Sequence, residues 1–296
     1  IKQAPVVKSY NNRLILQRLL YNHITYKTGE EVGVKRPVKI NLPKVNEIRD
    51  GVIVRLPQSE QILTYLRANA TQQMYQADIE SLAKERGAKA LANIGKALGQ
   101  NLDNALSPYL VRGTPEDAFD YVDSSPKIKY VIECIDSVKK WHEARGEECS
   151  GQVIYMNRGK DYFPYVKQYL EEYIGFKKGV KFDGKRFDEV EIISSGIAQE
   201  RKEAIKDAFL ANAVKVIIGT ATIREGIDLQ ENGTCLYLCT VDWNPTDVKQ
   251  VEGRIWRQGN KYGYVRVVIP LLQDSMDVFV FQKLEEKTSR INDIWF

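Results

Sequence analysis

QVEGRIWRQGN, residues Gln250–Asn260, and GTATIREGIDL, residues Gly219–Leu229, are the two densest stretches of this chain, and the reading of the whole follows from them. In the first, Arg254 and Arg257 stand three apart behind Gly253, in a run that also carries Gln250. Thr246–Gln258 reads as a helix with Pro245 just before its start, which places the two arginines one turn apart on the same side. Guanidinium groups stay charged and grip phosphate in a planar fork. Supplied across a domain interface, such an arginine stabilises charge on a transferring phosphoryl group, and Gly253 leaves room for close approach. For the arginines alone, an exposed helix with scattered charges is the plain alternative. In the second stretch, VKVIIG (Val214–Gly219) reads as a buried strand running into Gly219-Thr220. Backbone amides and a hydroxyl at such a strand end can meet a phosphate. Asp228 can accept a hydrogen bond from a ribose hydroxyl; a tight strand-to-helix turn with an incidental aspartate is the alternative.

Working outward, strands and helices alternate from about Ser124 onward. Pro126–Arg145, Phe163–Ile174, Gln199–Ala213, Thr246–Gln258 and Ser275–Asn292 read as helices. Gln152–Met156, Val190–Ile193, Val214–Gly219, Thr234–Thr240 and Tyr264–Ile269 read as strands of buried type. This alternation favours a parallel sheet with helices on both faces, with ligands at the carboxyl ends of its strands. Residues 1–120 read as a mainly helical region and 121–296 as the α/β domain. In the first part, Asn11–His23 carries a helical apolar face, Lys35–Pro43 is extended and Gly51–Leu56 is a short strand. Ser59 is a helix N-cap before EQILTYLRA. Ile79–Leu106 is one or two helices weakened at Gly87, Gly95 and Gly99, and Ser107-Pro108 ends them.

Composition is that of a globular chain: 296 residues, 43% hydrophobic and 28% charged. The net charge of +4 permits a nucleic-acid partner without demanding one. Cys134, Cys149, Cys235 and Cys239 contain no CxxC pair and read as structural thiols. With His23 and His142 as the only histidines, neither a metal site nor histidine-based catalysis is expected. No apolar run reaches the roughly 18–20 residues of a membrane span, so no membrane partner is expected and the cytoplasm is the default. The chain begins mid-pattern at Ile1 and is expected to be a piece of a longer protein.

Gly219–Leu229 resembles motif V of superfamily 2 helicases, and Gln250–Asn260 resembles motif VI in the form Q-x-x-G-R-x-x-R-x-G. Between them Asp242-Trp243-Asn244-Pro245 resembles the DWNP run of the Swi/Snf-like translocases. Ser195-Gly196 with Arg201 and Phe209, Gln152–Asn157, Ser125–Ile128, Leu42-Pro43-Lys44 with Glu47, and Glu60-Gln61 with Tyr65 are similar to further elements of that family, so the resemblance covers nearly the whole chain. It implies a RecA-like fold of P-loop NTPase type: this chain is the second lobe, preceded by a helical protrusion, and ATP lies between it and an N-terminal RecA-like lobe. It implies that Arg254 and Arg257 reach the ATP phosphates, with Gln250 supporting and Gly226 and Asp228 beside the nucleotide. Thr220, Ser195, Gly196 and Arg201 would face the phosphate backbone of the tracked strand. Asn157, Arg158 and Trp243 are placed with the nucleic-acid group. Three departures stand out: Ile223-Arg224-Glu225-Gly226 replaces a small-residue run, Gly253 precedes Arg254 where the family usually has an aspartate, and Asn260 replaces a glutamine. They lean towards bacterial or phage members of the family, and so towards a bacterial or phage-infected cell.

No GxxxxGK[ST] occurs, and Gly95-Lys96 lacks the partner glycine, so nothing here cradles the β- and γ-phosphates. Asp188-Glu189 imitates a Mg²⁺-holding acidic pair but precedes its apolar strand instead of following it. ATP and Mg²⁺ are therefore expected mainly on the missing lobe, and no ATPase activity is expected of this chain alone. The leading expectation is the C-terminal half of an ATP-dependent translocase on double-stranded DNA. A strand-separating DNA or RNA helicase lobe and a non-enzymatic scaffold lobe are the alternatives.

Overall fold

The computed structural model describes residues 13–23, 33–43, 53–84, 90–224 and 226–295. Its centre is a seven-stranded sheet in which every recorded pairing is parallel: β1 (Val38–Lys39), β2 (Ile62–Leu66), β3 (Gly151–Tyr155), β6 (Val190–Ile193), β7 (Val216–Gly219), β8 (Gly233–Leu238) and β9 (Tyr264–Leu272). The strand order is β1-β9-β8-β3-β7-β6, with β2 also on β9. A separate antiparallel hairpin, β4 (Val180–Phe182) with β5 (Lys185–Phe187), precedes β6.

The helices are α1 (Arg13–His23), α2 (Ala70–Lys84), α3 (Ala90–Leu106), α4 (Ala118–Asp123), α5 (Pro126–Ala144), α6 (Phe163–Glu172), α7 (Gln199–Leu210), α8 (Pro245–Glu252) and α9 (Met276–Trp295). Strand alternation sorts them into two layers. Val153, Tyr155, Ile217, Leu236, Val265 and Val267 face Phe209 of α7, Val251 of α8 and Phe281 of α9. Ile154, Ile218, Cys235, Tyr237 and Val268 face Ile135 of α5, Leu170 of α6 and Tyr121 of α4. The strands are apolar on both sides because both faces are covered, as the sequence pattern requires.

Two readings of the first third change. Glu60–Ala68 is not a helix: Ile62–Leu66 is β2, paired with Val268–Leu272. The outer edge of β9 would otherwise leave its backbone groups unpaired, and that requirement outweighs the helix signal at Ser59. Thr64 is also hydrogen-bonded to Tyr130 of α5, hydroxyl to hydroxyl at 2.7 Å. Of Gly51–Leu56, the described part contributes only an isolated bridge from Arg55 to Ile40. Gly87, Lys44 and Glu47 lie outside the described residues; Gly95 and Gly99 lie inside α3 and do not break it. Ser107-Pro108 does end α3, with the Ser107 hydroxyl capping the short turn that follows.

The first third is therefore tied into the sheet. Lys39 of β1 forms a buried ion pair with Glu252 at the end of α8. Arg36 and Lys39 lie 4.5 and 4.2 Å from the Trp256 ring centre, and the Trp256 indole donates to the Pro37 carbonyl at 3.0 Å. Residues 36–39 thus grip the Gln250–Asn260 stretch directly.

His142 is fully buried at the end of α5. Its ring nitrogens lie 3.1 Å from a Glu147 carboxylate oxygen and 2.8 Å from the Ser150 hydroxyl. Burial outweighs Glu147 and pushes its pKa down to about 4 from an ordinary 6.5. The folded state therefore holds the neutral ring, whereas the unfolded chain takes up a proton below about pH 6.5. The stability linked to this ring is complete above that pH and is lost as pH falls towards about 4. Urea unfolding of wild type and His142→Gln at pH 7 and about pH 4.5 should show wild type losing about 2–3 kcal/mol more than the variant. Equal losses would remove His142 as the cause.

Candidate functional site

The loops that carry the motifs leave the carboxyl ends of β3, β6, β7 and β8. Tyr155 ends β3, and its hydroxyl donates to Asp242 at 2.8 Å; burial, then Asp242, push that phenol's pKa up. Asn157 adds two bonds of 2.7 Å from its side-chain amide, one to the Tyr155 hydroxyl and one to Asp242. Its backbone N–H donates to Thr240. Asp242 is thus locked to β3, and the DWNP run divides its work. Asn244 caps α8 by accepting from the Thr246 N–H at 3.1 Å, and Pro245 opens that helix. Trp243 is left 43% exposed, edge-on to the equally exposed Phe279, with its carbonyl held by Lys287. The Trp243 indole is therefore part of the surface and not of the core.

Thr220 follows β7, and Ser195 and Gly196 follow β6. The two strands are paired through Ile193 and Gly219, and the Thr220 N–H bonds the Ile193 carbonyl at 3.4 Å, so these three residues lie in adjacent loops at the carboxyl ends of neighbouring strands. Ser195 and Gly196 are exposed and Thr220 is half-buried. Gly219 is required where it stands: a β-carbon there would lie 2.9 Å from the Ile193 carbonyl and 2.3 Å from the Ile223 side chain.

α8 ends at Glu252, so Arg254 and Arg257 lie on the turns beyond it and not one helical turn apart. Gly253 closes the helix, and a β-carbon there would lie 3.2 Å from the Lys249 carbonyl. The arginines nevertheless converge. Arg254 donates to Asp228 at 2.9 Å and Arg257 donates to the same oxygen at 3.1 Å. Arg254 also donates twice to the Arg224 carbonyl, and its own carbonyl accepts from Leu229. Its side chain is 22% exposed, against 56% for Arg257. One arginine is built into the lobe and the other is presented to solvent. Gly226, at φ +78, makes the turn between Arg224 and Asp228 in a conformation that favours glycine. Gln250 is exposed on the last turn of α8.

Two predicted site residues are committed elsewhere within the lobe. Arg158 donates to Asp103 at 2.7 Å and to the Gly99 carbonyl, fastening α3 to the loop after β3. Arg201 bonds Glu191 at 2.8 Å and lies 4.5 Å from the Phe187 ring centre.

The departures at Arg224 and Asn260 have structural reasons. Arg224 pairs with Asp247 at 3.0 Å and lies 3.9 Å from Asp242, while its carbonyl receives Arg254. It links the turn after β7 to the run before α8, and sequence reading registered it only as an anomaly. The signal was there in a charged residue replacing a small one, with two aspartates downstream. Asn260 donates to the carbonyls of Gln230 and Gly233, both at 2.8 Å, and accepts from the N–H groups of Tyr262 and Gly263. Its short amide closes that turn.

No group of three or more potential ligands for a metal ion occurs among the described residues. Among the described residues, the carboxylate that meets the arginines, Asp228, already carries both guanidinium groups. Asp188 binds Lys167 and the Gly179 N–H, and Glu189 accepts from the Lys177 N–H, so this pair braces the hairpin region. The residues present do not fit a Mg²⁺ site. Gly179–Lys185, GVKFDGK, has the glycine–lysine spacing of a phosphate loop, with Arg186 where that motif needs Ser or Thr. It folds as the β4–β5 hairpin, whose residues pair across the two strands instead of wrapping a phosphate.

Among the described residues no helix is long and apolar enough to cross a membrane. Residues 127–259 match the helicase conserved C-terminal domain. No curated protein matches the chain. Among solved structures, the C-terminal part of the Fun30 ATPase domain is similar over 77% of this chain and 89% of that one, with 12% identity and a TM-score of 0.57. The SWI2/SNF2 ATPase core domain of Sulfolobus solfataricus is similar over 81% of this chain and 45% of that one, with 17% identity and a TM-score of 0.59. The same core in complex with dsDNA gives 80%, 48%, 17% and 0.55. This chain thus spans less than half of the Sulfolobus core. Residues 127–259 thus match a helicase conserved C-terminal domain, and the chain has the RecA-like fold of Swi/Snf-type ATPase cores.

Proposed function

We propose that this lobe is the C-terminal half of an ATP-dependent motor that tracks double-stranded DNA. Arg254 and Arg257 act on ATP phosphates held, with Mg²⁺, mainly by an N-terminal RecA-like lobe. The observation that carries the reading is the meeting of Arg254, Arg257 and Asp228 on one carboxylate oxygen, in a lobe with no phosphate loop of its own. Arg257 is exposed and always charged, and it leaves Asp228 to meet a phosphate oxygen when the lobes close. Arg254 holds the Arg224–Asp228 turn in shape, and Gly226 keeps the approach beside Asp228 free of side chain. Asp228 is then released to a ribose hydroxyl. Thr220, Ser195 and Gly196 offer a hydroxyl pair and open backbone to a DNA phosphate, and Trp243 offers an exposed indole on the loop after β8. The dsDNA complex of the Sulfolobus core supports the choice of duplex as the partner.

The test is ATP hydrolysis by the intact protein that joins this lobe to its N-terminal partner, with and without duplex DNA, beside the 296-residue chain alone. Duplex-stimulated turnover by the joined lobes and none by this chain is the expected result. Stimulation by single strands with duplex unwinding would favour the strand-separating helicase, and no turnover at all would favour a scaffold lobe.

A further inference from the structure

The β4–β5 hairpin lies outside every motif above. Residues 177–187, KKGVKFDGKRF, hold five basic side chains against one acidic. The turn is Asp183-Gly184, both in the left-handed region at φ 46 and 70, as a two-residue hairpin loop requires. Pairing places Val180 opposite Phe187, Lys181 opposite Arg186 and Phe182 opposite Lys185. Opposed residues share a face. The face with Phe182 and Phe187 packs on the core of the lobe. The other face is Lys181 and Arg186, both exposed.

Like charges directly opposite one another on a hairpin oppose its pairing. The cations that flank this face are neutralised locally: Lys178 by Glu171, Lys167 by Asp188 and Arg201 by Glu191. Lys181, Lys185 and Arg186 have no carboxylate within ion-pair distance among the described residues. The hairpin is also continuous with the loop after β6. Arg201, on the first turn of α7, lies against the Phe187 ring and donates to the Arg186 carbonyl at 3.4 Å, five residues beyond Gly196.

We propose that Lys181 and Arg186 bind the phosphate backbone of a nucleic-acid duplex, extending the contact proposed for Ser195 and Gly196. The inference rests on the nucleic-acid reading of that loop. Charge complementarity selects the partner: a rigid pair of unneutralised cations at strand spacing fits a polyanion with regularly placed phosphates, and Arg201 joins it to a surface already assigned to such a polymer.

The test is fluorescence anisotropy of a fluorescein-labelled DNA duplex titrated with the 296-residue chain between about 50 and 200 mM salt. Four proteins are compared: wild type, Lys181→Ala/Arg186→Ala, the charge-keeping Lys181→Arg/Arg186→Lys, and the loop variant Ser195→Glu. Removing the opposed cations relieves a repulsion, so the alanine variant should melt no lower than wild type. The expected result is roughly tenfold weaker binding by the alanine variant at about 100 mM salt, and a salt slope shallower by about 2, as two lost phosphate contacts require. The charge-keeping variant should bind as wild type does. Unchanged affinity and slope in the alanine variant, with Ser195→Glu weakened, would overturn the hairpin contact and leave the loop reading standing. Weakening by the alanine variant but not by Ser195→Glu would keep the hairpin and overturn the loop. Absence of duplex binding by wild type, or binding only to phosphatidylserine vesicles, would overturn both.

Discussion

Arg257→Ala is expected to lower duplex-stimulated ATP turnover of the joined lobes by about a thousandfold or more, with little effect on the stability of this lobe. An arginine supplied to a transferring phosphoryl group is worth about 10³–10⁵ in rate, because a fixed positive charge there offsets the charge that develops in the transition state. The structure separates this loss from a folding defect. Arg257 is 56% exposed and has a single bond, at 3.1 Å, to Asp228. Its removal should change unfolding free energy by less than about 0.5 kcal/mol, as for other surface sites.

Arg254→Ala should differ in kind. That guanidinium is largely covered, donates twice to the Arg224 carbonyl and once to Asp228, and so holds the turn after β7 against the run after α8. Its loss should lower turnover and also destabilise the lobe by about 1–3 kcal/mol. Single-turnover hydrolysis with saturating duplex, set beside urea unfolding of the same variants, checks both. Near-wild-type turnover in Arg257→Ala would sink the phosphate-contact role, and equal stability of the two variants would sink the division of labour between them.

Asp277→Ala is expected to cost about 3–5 kcal/mol, the typical penalty for leaving one member of a buried ion pair unpaired. Lys127, in the first turn of α5, and Asp277, in the first turn of α9, meet at 2.6 Å with 1% and 5% of their side chains exposed. The same Asp277 oxygen accepts from the Leu272 N–H at the end of β9. An ammonium group stranded there has no water to turn to, and it sits at a helix N-terminus, where the dipole disfavours positive charge. Domains of this size have only about 5–15 kcal/mol of stability in total, so the loss should be large in urea unfolding. Lys127→Met/Asp277→Leu should recover most of it, since apolar replacement of a whole buried pair is often neutral. A loss under about 1 kcal/mol in Asp277→Ala would mean that the pair is solvated.

Apart from the β4–β5 hairpin and the end of α8, strand and helix identity from Pro126 onward was legible in the sequence, because both faces of the sheet are covered and the buried runs are nearly continuous: VIIG, CLYL and YVRVVIPLL each lie where an apolar run predicts a strand. The motif residues were legible for a related reason. Glycine with positive φ, proline at the first position of a helix and asparagine before it are local necessities, and local necessities leave marks in sequence. What the sequence alone determined was therefore the α/β alternation, the lack of a phosphate loop and the residue types of the site.

Tertiary structure decided the rest, wherever a residue's partner is far along the chain. ILTYL became a strand because the edge of β9, some two hundred residues later, needed hydrogen-bond partners. Arg36 and Lys39 were assigned to Trp256, and Arg158 to Asp103, by packing that no local pattern encodes. Arg254 and Arg257 came together through Asp228 and not through the helix that their spacing suggested, since α8 stops at Gly253. Periodicity records which face of a segment is buried; it does not record what that face is buried against, and the partners of a charged side chain are set only once the chain is folded.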